Sequence, residues 1–247
     1  MSERVVVLTD SHGHADYLRA ITRKYKDSVD RYVVNGDILA CGEKPRETME
    51  LISQYDMTLN LGNHDVLFQA GVTIANPEQR SQLQYSCEKD FGRLALLRFA
   101  HSYRVEESDN KEIMIERIVE KMQKKSHWQR LADAALYFEH PRFIAIHAGL
   151  TDHSWDEQRR TLQEKSLTMK TGAFDEIPEQ ITSFKLANRQ ERFTATDKIV
   201  VTGHSHTPTG ARVTDGGKRV RLASKPWLGE AMYVWQSWDE TVTSILP

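Results

Sequence analysis

Cysteine is scarce in this chain: Cys41 and Cys87 are the only 2 among 247 residues, and they stand in no CxxC spacing. That excludes a disulfide framework or a thiolate metal knuckle, and both are expected as reduced thiols. Long apolar runs are missing too. No stretch approaches the roughly 18 residues that span a bilayer, so no membrane partner is expected. The opening Met1-Ser2-Glu3-Arg4 before a short valine run has no secretory core, so the cytosol is the expected compartment. Nor is there an excess of one charge, since 33 Lys plus Arg against 35 Asp plus Glu leave a net charge of -2. This excludes broad electrostatic capture of nucleic acid, and partners must be read from local sites. Oligomeric state is not legible here.

What is present is ordinary globular material, 39% hydrophobic and 28% charged, with no repeat, low-complexity tract or linker. Val5 to Leu8 and Tyr32 to Val34 read as short buried strands. Between them a helix carries Leu18, Ile21 and Tyr25 on one face. A helix opened by Pro45 with Met49, Ile52 and Tyr55, then the run Thr58 to Leu61, completes a βαβαβ pattern. From about 66 to 142 the texture turns helical, with Ile115, Ile118, Val119 and Met122 on one stripe and Trp128, Leu131, Ala135 and Leu136 on another. Strands are expected again at Phe143 to Ile146 and Ile199 to Val201, separated by a helix-leaning stretch from Ser154 to Arg192. Beyond Ala211, short antiparallel strands follow at Val213, Arg219 to Leu222, Met232 to Val234 and Val242 to Leu246. One domain over 1–247 with a helical insertion is the simplest account.

Five expected strands end in residues that hold metal ions: Thr9-Asp10-Ser11-His12-Gly13, Asn35-Gly36-Asp37, Leu61-Gly62-Asn63-His64-Asp65, Ile146-His147-Ala148-Gly149 and Thr202-Gly203-His204-Ser205-His206. In an extended segment Asp10 and His12 point the same way, as do His204 and His206, so each pair can pinch an ion. Carboxylate oxygen with imidazole nitrogen suits two divalent transition-metal ions, Mn first, then Fe, Co, Ni or Zn. Counting ligands gives Asp10, His12 and His206 to one ion and Asn63, His147 and His204 to the other, with Asp37 bridging. A bridging carboxylate implies ions about 3.5–4 Å apart, and a water held between them ionises near neutral pH and can attack phosphorus.

The order D-x-H-G, G-D, G-N-H-D, H-A-G, G-H-x-H, spread from Asp10 to His206, resembles the calcineurin-like metallophosphoesterase superfamily. The resemblance implies an α/β fold, a four-layer αββα sandwich of two mixed sheets flanked by helices. It also implies a dinuclear centre, with ligands falling on Asp10, His12, Asp37, Asn63, His147, His204 and His206. The expected activity is in-line hydrolysis of phosphate mono- or diesters of a small molecule or nucleotide by metal-bound hydroxide. His64, the histidine of G-N-H-D, is implied to stabilise the transition state or protonate the leaving oxygen, and an imidazole next to a ligand is well placed for this. The 66–142 insertion is then expected to cap the metal edge and select substrate.

H-A-G-L and D-x-H-G look like the bacterial phosphoprotein phosphatase and diadenosine tetraphosphatase branch, which makes those activities the alternatives. That branch carries G-D-x-x-D-R-G, whereas this chain reads Gly36-Asp37-Ile38-Leu39-Ala40-Cys41-Gly42. The carboxylate that supports the histidine and the arginine that clamps phosphate are both absent. Arg104, Arg142, Arg159 and Arg160 are candidate replacements. A fold-retaining scaffold is the non-enzymatic alternative, opposed by the complete ligand set. His101, His127 and His140 read as surface or packing residues, while His14 and His153 follow ligand loops and are candidates to support them. Cys41 reads as a small loop thiol. Lys121, Lys124, Lys125 and Arg130 read as a solvated helix face, and Trp227, Trp235 and Trp238 as core or sheet packing.

Overall fold

The computed structural model describes residues 3–39, 42–73, 93–171, 176–188, 194–206 and 210–247. Cys41 and Cys87 lie outside them. Strand β1 (Val5–Leu8) is buried along its whole length, and alternation assigns its residues to two different layers. Val6 and Leu8 pack with Leu18 and Ile21 of helix α1 (Ala15–Tyr25) and with Ile52 of α2 (Pro45–Gln54). Val5 and Val7 face Phe143, Val201 and Val220, which belong to a second sheet. A continuous apolar strand is what such double burial requires.

The first sheet has the order β10-β9-β1-β2-β3, from β2 (Arg31–Asn35), β3 (Thr58–Asn60), β9 (Met232–Gln236) and β10 (Val242–Ile245) around β1. Its β1, β2 and β3 are parallel, and β9 and β10 are antiparallel additions. The second has the order β4-β5-β6-β8-β7, from β4 (Tyr137–Glu139), β5 (Phe143–Ile146), β6 (Ile199–Thr202), β7 (Arg212–Thr214) and β8 (Arg219–Arg221). There β5, β6 and β8 are parallel, so β8 departs from the expected antiparallel tail. Trp235 of β9 sits between the sheets, 4.8 Å from the Phe143 ring, and is 1% exposed. Full burial of each large apolar side chain in this layer contributes about 1.5–3 kcal/mol. Asn60 crosses the same layer, donating from Nδ2 to Asn35 Oδ1 at 2.8 Å and to the Ala145 carbonyl at 3.0 Å.

Helices complete four layers. The stretch 66–142 contains the rest of α3 (Asn63–Thr73), a helix through residues 93–102 (α4), α5 (Lys111–Gln123) and α6 (His127–Asp133). It is not wholly helical, because β4 pairs with β5 as an edge strand of the second sheet. Met114, Ile118, Met122 and Leu131 join the main core, and Lys125 and Arg130 pair at the surface with Glu50 and Asp56. Asn110 caps α5, its side-chain oxygen accepting from the amides of Glu112 and Ile113. On the second sheet lie α7 (Trp155–Thr171), α8 (Glu179–Thr182) and α9 (Phe184–Asn188). Among the described residues no helix is long and apolar enough to cross a membrane.

Candidate active site

Parallel strands deliver their carboxyl ends to one edge, and backbone hydrogen bonds knit the loops there. Asp10, His12 and Gly13 donate their amides to the carbonyls of Gly36, Asp37 and Ile38, at 3.1, 2.8 and 2.7 Å. The amide of Gly203 donates to the His147 carbonyl at 2.8 Å, and that of His204 to Asp10 Oδ1 at 3.1 Å. The loops are not extended as the sequence pattern implied. Asp10, His12, Asp37 and His204 have positive φ, at 53°, 44°, 52° and 64°. Left-handed backbone at four non-glycine residues costs of order 1–3 kcal/mol each and persists only where its surroundings hold it. On this left-handed backbone, and not by strand alternation, Asp10, His12, Asp37 and His204 line one cavity.

Two groups of donor atoms result, each with its atoms within 4.8 Å of one another: Asp10, His12 and Asp37, and Asp37, His147 and His204. Asp37 is common to both. Its Oδ2 lies 3.3 Å from His147 Nε2 and 3.8 Å from the Nε2 atoms of His12 and His64. Asn63 Oδ1 joins the second group, 3.2 Å from His147 Nε2 and 2.9 Å from His204 Nδ1. The Asn35 carbonyl, which only accepts, takes a hydrogen bond from His147 Nδ1 at 3.1 Å and so turns Nε2 toward Asp37. His206 stands apart from both groups, its Nε2 3.0 Å from Glu230 Oε2, while still lining the same cavity.

The electrostatics are those of buried donors. Burial pushes Asp10 up to about 6, with Asp37 adding to the rise. Burial opposes ionisation of Asp37 as well, but His147 and His64 outweigh it and hold the carboxyl well below its ordinary range. Burial pulls His12 down to about 3 and His204 to about 4. Burial also pulls on His147, yet the adjacent Asp37 carboxylate lifts it to about 9. Clustered carboxylates and imidazoles, withdrawn from water and sharing a central oxygen donor, fit divalent transition-metal ions.

Asp65 has a role that the sequence left open. It sits in the first turn of α3, which begins at Asn63, and it is fully buried. Its carboxylate accepts from the amides of Ile38 and Gly62, each at 3.0 Å, tying the Asp37 loop to the Asn63 loop. The backbone amide of His64 donates to Asp37 Oδ1 at 3.2 Å.

A cavity of about 330 Å³ opens over these residues and is lined as well by Ala223, Ser224, Lys225 and Trp227. Trp227 is therefore not core packing. It is 38% exposed, with its ring edge-on to His12 at 4.7 Å. Trp235 and Trp238 do pack as expected, Trp238 against Tyr25. The candidate arginines lie elsewhere: Arg142 pairs with Glu240 and donates to the Ser237 carbonyl, Arg159 pairs with Asp156, and Arg160 bonds the Asp156 carbonyl. Arg104, like them, is absent from the described cavity wall, where the cation is Lys225. No spacing rule pointed to Lys225 or Trp227, because their loop contains no ligand pattern. His127 and His140 are packing residues, against Tyr103 and Phe143.

The calcineurin-like phosphoesterase family model matches residues 3–230. The chain belongs to the calcineurin-like phosphoesterase family. It is accordingly a phosphoesterase. A solved structure of a candidate diadenosine tetraphosphatase has TM-score 0.61 and 15% identity, covering 100% of this chain and 94% of that one. A protein serine/threonine phosphatase from Saccharomyces cerevisiae also has TM-score 0.61, with 13% identity over 100% of this phosphoesterase and 80% of its own chain. A cold-active protein-tyrosine phosphatase of a Shewanella species has TM-score 0.55 and 16% identity, over 99% and 81%. At these identities the likeness is one of fold. No curated protein sequence matches the chain.

Proposed function

We propose that this phosphoesterase is a dinuclear metal-dependent hydrolase of phosphate mono- or diesters carried by a small molecule or nucleotide. The observation that carries the reading is Asp37, a buried carboxylate common to two groups of metal-type donors. Asp10 and His12 serve one ion and Asn63, His147 and His204 the other, with Mn the ion to supply first. His206 completes the first set in this reading, and Glu230 orients its ring. Two such ions, when held, neutralise phosphate oxygens and acidify water.

The chain's own residues supply the rest. His64, whose backbone is fixed on Asp37 and whose ring lines the cavity, passes a proton from Nε2 to the leaving oxygen. The cavity, about 330 Å³, lies at the small end of ligand sites and favours a compact ester. The cytoplasm is the proposed compartment, on the two-cysteine composition.

The test is elemental analysis together with hydrolysis of para-nitrophenyl phosphate and its bis ester, for wild type, Asp37→Asn and His64→Ala. The expected result is two equivalents of metal in wild type, a metal-poor inactive Asp37→Asn, and a metal-replete inactive His64→Ala. Protein that stays inactive after Mn, Ni or Zn is supplied overturns the proposal.

A further inference from the structure

The segment from Ser224 to Glu230 follows β8, and its Ser224, Lys225 and Trp227 line the cavity together with Asp37 and His64. It is held firmly for a surface loop. The Lys225 amide donates to Glu230 Oε2 at 2.9 Å, and Tyr17 Oη donates to the Glu230 carbonyl at 2.8 Å. Between these anchors Pro226–Leu228 makes a single 3-10 turn that Gly229 closes at φ 77°. Positive φ suits glycine, so the turn is set without strain.

Two side chains of this loop have no structural duty that explains them. Trp227 meets the His12 ring edge-on, yet it keeps 38% of its surface open, and neighbouring Leu228 is 65% exposed. An indole held perpendicular to the His12 ring, with 38% of its surface open, offers that open part to a second planar ring. Lys225 is half-buried at the cavity wall, and its ammonium has no carboxylate partner among the described residues. A lysine unpaired beside clustered metal-type donors is placed to meet an anion that those ions also attract.

We infer that Lys225 anchors the phosphate and Trp227 receives the ring of a phosphate ester bearing a planar aromatic group. The loop is thus the specificity element of the site. This rests on the phosphohydrolase reading above, and it names the class of ester that the site prefers. Charge and ring act on different parts of one ligand, so their effects separate.

The experiment is calorimetric titration of the manganese-loaded protein with two non-hydrolysable ligands, phenylphosphonate and methylphosphonate. Wild type should bind phenylphosphonate about 5-fold more tightly, within the range of an aromatic pair. Trp227→Ala should bring that preference close to 1 and leave methylphosphonate binding unchanged, while Trp227→Phe should retain most of it. Lys225→Ala should weaken both ligands by about tenfold, as loss of a charge-assisted contact does, and Lys225→Arg should restore them. A preference that survives Trp227→Ala, equal weakening of both ligands by it, or Lys225→Ala binding like wild type overturns the inference. Competition by phosphotyrosine against adenosine 5′-monophosphate tells a ring bonded at the phosphate oxygen from one held a sugar away. If neither competes better than glycerol phosphate, the inference is overturned. Turnover of para-nitrophenyl phosphate distinguishes the failures: ring-selective binding without hydrolysis sinks the phosphohydrolase reading alone, and hydrolysis without ring selectivity sinks the loop assignment alone.

Discussion

Replacing Asp65 with alanine removes the acceptor for two buried amides, those of Ile38 and Gly62. An unsatisfied buried donor costs about 1–3 kcal/mol, so the pair sets a loss of about 2–6 kcal/mol. The carboxylate also carries a penalty of its own. Burial, then repulsion from Asp37, pushes Asp65 from 3.8 up to about 7. A folded value above the unfolded one means that its stabilising contribution is full below 3.8 and is lost as pH rises through about 7. At about 1.4 kcal/mol per unit, the ionised group costs about 4 kcal/mol when fully charged. About half of that, 2 kcal/mol, develops between pH ~5.5 and ~8.5.

The assay is urea unfolding followed by tryptophan fluorescence, with a chelator present so that protons alone set the charge state. At pH 5.5, where about 2 kcal/mol of that cost has already developed, Asp65→Ala should be less stable than wild type by up to about 4 kcal/mol, and the gap should narrow by about 2 kcal/mol more at pH 8.5. Asp65→Asn keeps an acceptor without the charge, and it should match or exceed wild type at pH 8.5. A gap that widens with pH, or an alanine variant more stable than wild type at pH 5.5, refutes the clamp.

Metal uptake should displace protons, because Asp10 at about 6 and His147 at about 9 must both give theirs up. The rise in melting temperature on adding Mn should therefore be larger at pH 8 than at pH 5.5, and a pH-independent rise would contradict it. Gly203→Ala places a methyl group against Thr9 Oγ1 and Asp10 Oδ2. Such overpacking costs about 1–3 kcal/mol, and metal retained after dialysis should fall while circular dichroism stays native; full retention would argue against Asp10 as a ligand. Trp235→Ala should lose about 3–5 kcal/mol in denaturant unfolding, with turnover per folded molecule unchanged. A kcat that falls with it would mean that the inter-sheet layer positions the site.

The strands other than β4, and the first two helices, were legible because their apolar residues follow the spacing that burial demands, as Leu18, Ile21 and Tyr25 do on α1. The order of the metal-type motifs was legible for a related reason, since donor residues beside glycines at strand ends mark one kind of loop. Asp10, His12, Asp37, Asn63, His147 and His204 come together as that order implied. The means differ: left-handed backbone aims Asp10, His12 and His204, where the sequence pattern pointed to extended alternation.

By itself the sequence determined which residue types could act and along which edge they would lie, because composition and periodicity are local properties. Only the tertiary structure decided the partition of β1 between two layers, the duty of Asp65 as a clamp, and the wall of Lys225 and Trp227 facing His12. Each depends on segments distant in the chain meeting at one place, Asp10 with His204 and His12 with Trp227 among them. Such meetings are set by how two sheets pack, and no window of neighbouring residues encodes them.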